Sequence, residues 1–127
     1  MDSVDFIVGP VREVVSAAES DGQVIYAIVY NSGVEDSISS GVLRPQYPHL
    51  IIEYYEAFFR QEGGTRILGS VAVLGIISAR LLNDEIDYLM ADDLDSPPVS
   101  ISAAIARQQF ANLLIDFYEM CIILDTI

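Results

Sequence analysis

Between Pro48 and Gln61 the apolar residues Ile51, Ile52, Tyr54, Tyr55, Phe58 and Phe59 fall at helical spacing, while Glu53, Glu56 and Arg60 share a polar face. The pattern predicts a helix with Pro48 in its first turn, ending near Gln61, and Glu56 paired with Arg60 one turn on along its wet side. Its apolar surface is too wide for one small sheet to cover. A second packing partner is expected.

Upstream, "REVVSAAESDGQVIYAIVYNSG" carries two β-prone runs on either side of Asp21-Gly22, a dipeptide suited to the positive φ angles of a tight hairpin turn. The first run also fits a helix opened by Pro10, with Val11, Val14, Val15 and Ala18 at helical spacing and Gly22 ending it. "VLGIISARLL" (73–82) fits either state as well; the β-branched "QVIYAIVY" weighs toward strands. A third short strand around Ile38 to Leu43 completes a small sheet ahead of the helix.

The arrangement is written twice. "SISSGVLRPQYPHLIIEYYEAFF" (37–59) lies without a gap over "SISAAIARQQFANLLIDFYEMCI" (100–122), with nine of twenty-three positions identical, Arg44, Gln46, Tyr55 and Glu56 among them. Upstream the register slips by one residue near Pro97 and Pro98, and Val11 to Ala17 then lie over Val73 to Ala79, with Tyr26 on Tyr88. Similar apolar spacing alone does not explain the shared Ser-Ile-Ser, Arg and Gln ahead of the helix. Two units are therefore expected, 1–63 and 64–127, joined where Gly63 and Gly64 turn the chain.

Composition narrows the function classes. A 52% hydrophobic content in 127 residues is ample for a packed core. The longest uncharged apolar stretch, Ile67 to Ala79, is too short to cross a bilayer, and "MDSVDFIVGP" has no basic region ahead of its apolar residues, so a soluble, unsecreted protein is expected. Cys121, the single cysteine, allows no internal disulfide and offers no metal-ligand spacing. Nineteen acids face six arginines and no lysine, a formal charge of -13 that disfavours direct nucleic-acid binding and steers basic partners inward. The acidic run "NDEIDYLMADDLD" (83–95) lacks the Gly and closing Glu of a calcium loop and reads as solvated edge and loop charge. No metal or cofactor is expected. His49, the only histidine, reads as a solvated helix-start residue, and "EGGTR" lacks the spacing and lysine of a phosphate loop, so catalysis is not expected.

The succession "VVSAAESDGQVIYAIVYN", an acidic loop and then "YPHLIIEYYEAFF", with Tyr47-Pro48 and Tyr54-Tyr55-Glu56, resembles the chromo shadow domain of the heterochromatin protein 1 family. The resemblance covers roughly residues 6–61, and residues 68–124 only through the repeat. It implies an α+β fold of two chromo-shadow-like units, each a small three-stranded antiparallel sheet with a C-terminal helix, paired through the helices as a pseudo-dimer. By position, the pairing residues implied are Ile52, Tyr55 and Phe59 with Ile115, Tyr118 and Ile122. The tails that clasp an extended partner peptide, commonly Pro-x-Val-x-Leu, map to Gln61, Ile123 and Leu124. Gln61 and Leu124 stand where the family carries a tail Trp, so any groove is expected to be asymmetric. A methyl-lysine cage is not expected, because Phe6 and Tyr30 supply two walls without a third and Asp92 replaces the Tyr30 equivalent.

The function implied is a non-catalytic, chromatin-associated adaptor that docks a peptide or another chromo shadow domain in gene silencing, in the nucleus and without direct nucleic-acid or membrane contact. The alternative is an acidic inhibitor that mimics nucleic acid toward a basic partner. Whether the halves pair within one chain or exchange between two, as a homodimer or domain swap, stays open at this point.

Overall fold

Asp21 and Gly22 decide the first hairpin. Both take positive φ, 53° and 80°, which a two-residue turn of matching twist requires, and the Glu19 carboxylate accepts the Gly22 N–H at 2.7 Å. The turn joins β1 (Val11–Ser20) to β2 (Gln23–Tyr30), which pairs in turn with β3 (Glu35–Ser39). A short α1 (Ser40–Leu43) and the long α2 (Pro48–Glu62) follow. The computed structural model describes residues 7–62, 65–67, 75–91 and 97–123. The Gly63-Gly64 join lies outside them.

The chain then repeats the order: β5 (Gly75–Leu82), β6 (Glu85–Ala91), β7 (Val99–Ser102), α3 (Ala103–Gln109) and α4 (Ala111–Ile123). The architecture is α+β, with two antiparallel sheets each followed by helices, as expected. One difference concerns strand number. A short β4 (Thr65–Ile67) adds to the outer edge of β5, so the second sheet has the order β4-β5-β6-β7 and the first β1-β2-β3.

The strand reading of residues 11–20 is correct, and the helical spacing has a physical origin. Register shifts between Val11 and Glu13 and between Val14 and Ser16 place Val11 and Val14, three residues apart, on the buried face. The third strand ends earlier than expected. Ile38 points into the core from β3, but Gly41 to Leu43 turn helical, and that turn carries Leu43 fully inside. Pro45 has no N–H with which to extend α1, whereas Gln108 stands at that place in the second half and α3 is longer. Ser102 also caps α3, its hydroxyl accepting the Ile105 N–H at 3.3 Å.

In the second hairpin Asn83 and Asp84 turn at φ 51° and 66°. Asp84 stands where the first hairpin has Gly22, in a backbone region that costs an L-residue about 1–2 kcal/mol. Asp84→Gly is expected to raise stability by roughly 1 kcal/mol in thermal unfolding; a lower melting temperature would contradict that account of the turn.

The helices supply the centre. One continuous buried cluster draws on both halves: Tyr26, Ile28 and Ile38 from the first sheet, Ile76, Ile86 and Tyr88 from the second, and the inner faces of α2 and α4 between them. α4 packs on α2 and also reaches β1 and β2 of the first half. This is the second partner that the wide apolar face of α2 required.

Candidate protein-interaction site

At the crossing of α2 and α4 the Tyr55 and Tyr118 rings stack with centroids 4.8 Å apart and planes 6° from parallel. Such an arrangement contributes about 0.5–1.5 kcal/mol beyond the area it buries. Ile52, Phe59 and Ile115 are fully or nearly fully buried beside it, and Ile122 is half-buried. Five of the six residues expected at the helix pairing thus lie in the core that spans both halves, with Ile122 packed against that core.

On either side of the stack a carboxylate crosses from one half into the other. Glu119 of α4 accepts the Tyr26 hydroxyl of β2 at 2.5 Å and the Ser40 hydroxyl at 2.5 Å, with the Arg44 guanidinium 3.4 Å away. Arg44 also meets Asp116 at 2.8 Å and donates to the Asn112 carbonyl at 2.9 Å. Reciprocally, Glu56 of α2 accepts the Tyr88 hydroxyl of β6 at 2.6 Å and the Arg107 Nε–H at 2.8 Å, with a second Arg107 nitrogen on the same oxygen. The helix tyrosines close each set, Tyr55 on Tyr26 at 2.8 Å and Tyr118 on Tyr88 at 2.6 Å. Each half therefore holds the other's glutamate with its own tyrosine and arginine.

This geometry overturns one expectation. Glu56 does not sit on the wet face of α2 paired with Arg60; it is fully buried and bonded across the molecule, while Arg60 donates to the Asp84 carbonyl at 3.4 Å. A buried carboxylate is tolerable only when its oxygens are satisfied, and among the described residues no buried side-chain polar atom lacks a partner. Burial is the main cause that raises all four tyrosines above their ordinary value of 10.0; for Tyr26 and Tyr88 the neighbouring phenol and carboxylate push the same way. The bond to Glu56 is the main cause that raises Arg107.

The tails are less complete. Gln61 is exposed at the end of α2, Ile123 is 37% exposed at the end of α4, and Leu124 lies outside the described residues. Of the two cage walls considered, Phe6 lies outside the described residues, and Tyr30 is buried with its hydroxyl on Asp36 at 2.8 Å, unavailable as an open wall. Asp92 also lies outside them. Among the described residues no cluster of His, Cys, Asp and Glu is arranged to hold a metal ion, and no helix is long and apolar enough to cross a membrane.

The carboxylate exchange was the functional feature that sequence reasoning missed. Its signal was present in the identities Arg44/Arg107, Glu56/Glu119 and Tyr26/Tyr88, polar and aromatic positions that the repeat preserves in both halves.

No curated protein and no solved structure matches the chain. A family model does: residues 3–58 match the chromo shadow domain, a non-catalytic module that binds peptides and other chromo shadow domains. That segment, which ends within α2, is similar to an established class of chromatin-associated interaction modules, and the match supports a protein-interaction role of that class for the chain.

Proposed function

We propose that the chain is a chromatin adaptor made of two copies of one unit, 1–63 and 64–127, paired within a single molecule. The observation that carries the reading is the reciprocal exchange of Glu56 and Glu119 about the Tyr55–Tyr118 stack, which gives two unlike halves the contacts of a twofold pair. Covalent linkage raises the effective concentration of the second half and removes a dimerisation equilibrium. It also frees the two halves to diverge. Ile52, Tyr55, Phe59, Ile115, Tyr118 and Ile122 form the pairing surface, and the helix tails at Gln61, Ile123 and Leu124 offer an asymmetric seat for an extended hydrophobic peptide or a chromo-shadow-type partner. The role is recruitment in gene silencing, with nuclear residence arising from small size or a carrier, since the sequence has no lysine for a basic import cluster.

Calorimetric titration with a Pro-x-Val-x-Leu peptide and with peptides tiled from silencing factors tests the reading. One peptide per chain, with affinity little changed by salt, is expected. One peptide per two chains contradicts pairing within a molecule. Affinity that collapses with salt and needs only a basic partner favours the acidic inhibitor that the charge of -13 makes its rival.

A further inference from the structure

A groove of about 600 Å³ opens on the first half between β1 and the outer face of α2, away from the helix crossing. Val15, Leu50, Tyr54 and Phe58 give it an apolar floor, and Glu13 and Glu53 stand on its walls, Glu13 in an exposed ion pair with Arg12 at 3.8 Å. Tyr54 and Phe58 stack there at 6.4 Å and remain half-buried, and Val15 is 44% exposed.

The second half closes the same place. Phe117 and Cys121, aligned with Tyr54 and Phe58, are 1% and 2% exposed. Gly75, at φ 124°, stands where the first half has Glu13, and Leu113 of α4 lies in ordinary contact, 3.4 Å from where a Cβ would be. The strand edges differ as well. The outer edge of β5 is paired, Thr65–Ile67 running antiparallel to Ser78–Arg80. On the first half the aligned edge is Ser16 to Ala18, which has no neighbouring strand among the described residues.

We propose that this groove and the β1 edge beside it form a docking site for an extended segment of a partner protein in which basic residues flank small aliphatic ones. The segment adds to Ser16–Ala18 as β4 adds to β5, its aliphatic side chains entering between Val15, Tyr54 and Phe58 and its cations meeting Glu13 and Glu53. A second copy of this chain does not fit, because it brings the same charge of -13 and the same two glutamates to the contact. The inference deepens the adaptor reading by placing a peptide site away from the helix tails.

The test titrates the full chain with a short synthetic peptide alternating lysine with valine, read by backbone amide shifts. Shifts are expected to cluster at Ser16 to Ala18, Tyr54 and Phe58. Backbone N-methylation of the peptide, which blocks strand pairing, is expected to weaken binding about tenfold or more, and so is Ala57→Arg, which fills the groove from an exposed helix position. Shifts spread over the acidic surface, with the methylated peptide binding equally well, overturn the proposal in favour of general charge attraction. Shifts confined to the helix ends near Ile123 overturn it while leaving the adaptor reading standing. Self-association through this face, or no binding, also overturns it, and the tail-peptide titration then judges the adaptor reading separately.

Discussion

Replacing Arg107 with alanine is expected to destabilise the protein by about 3 kcal/mol, the low end of the range for removing one partner of a buried ion pair, because the Arg107 side chain is itself 36% exposed. Glu56 has no solvent exposure, and without Arg107 its carboxylate keeps, among the described residues, the Tyr88 hydroxyl alone. An effect of that size is a large fraction of the roughly 5–15 kcal/mol that holds an ordinary domain together. The aligned variant, Arg44→Ala, is expected to cost less, about 1.5–3 kcal/mol, because it removes the contacts to Glu119, Asp116 and the Asn112 carbonyl without stranding the buried acid. Glu119 retains hydroxyls from both Tyr26 and Ser40, and its side chain is 11% exposed. Adding Glu56→Gln to Arg107→Ala removes the stranded charge and is expected to restore part of the loss. Urea unfolding of the three variants measures the differences; equal costs for the two arginines contradict this account of the exchange.

Above pH 10 the same network is expected to fail cooperatively. Burial raises Tyr26, Tyr55, Tyr88 and Tyr118 in the folded protein above the 10.0 at which an unfolded tyrosine gives up its proton. A group whose folded value is raised contributes stability in full below the unfolded value and loses it as pH climbs toward the folded one. Each tyrosine then removes about 1.4 kcal/mol per pH unit. Four acting together exhaust a stability of about 5–15 kcal/mol within roughly one to three units above pH 10. Phenolate absorbance from these rings is expected to appear in the same step as the loss of circular dichroism. Absorbance that reaches its full value while the dichroism is unchanged contradicts the burial of the network.

Much of the fold was legible because its signals are local. Asp21-Gly22 names its own turn, the spacing from Ile51 to Phe59 names its helix, and the repeat extends both readings to a second half where the hairpin turn, Asn83-Asp84, is less typical. Two things were hidden. Residues 11–20 mimic a helix because bulges insert unpaired residues and turn a period of two into one of three, which no single-residue propensity reveals. Glu56 reads as a surface residue because its partners, Tyr88 and Arg107, lie 32 and 51 positions away in sequence. Helical spacing reports which residues share a face, not what that face meets. β4 was missed for a similar reason, since three residues at Thr65–Ile67 carry no period and owe their strand to the edge of β5.

The central claim is that one chain supplies both members of the helix pair. Its mass in solution, measured by sedimentation equilibrium across a wide concentration range, tests it most directly. The account predicts 14.0 kDa throughout, the mass of a single chain. A species of twice that mass that persists on dilution until the protein unfolds would mean that the halves pair between molecules.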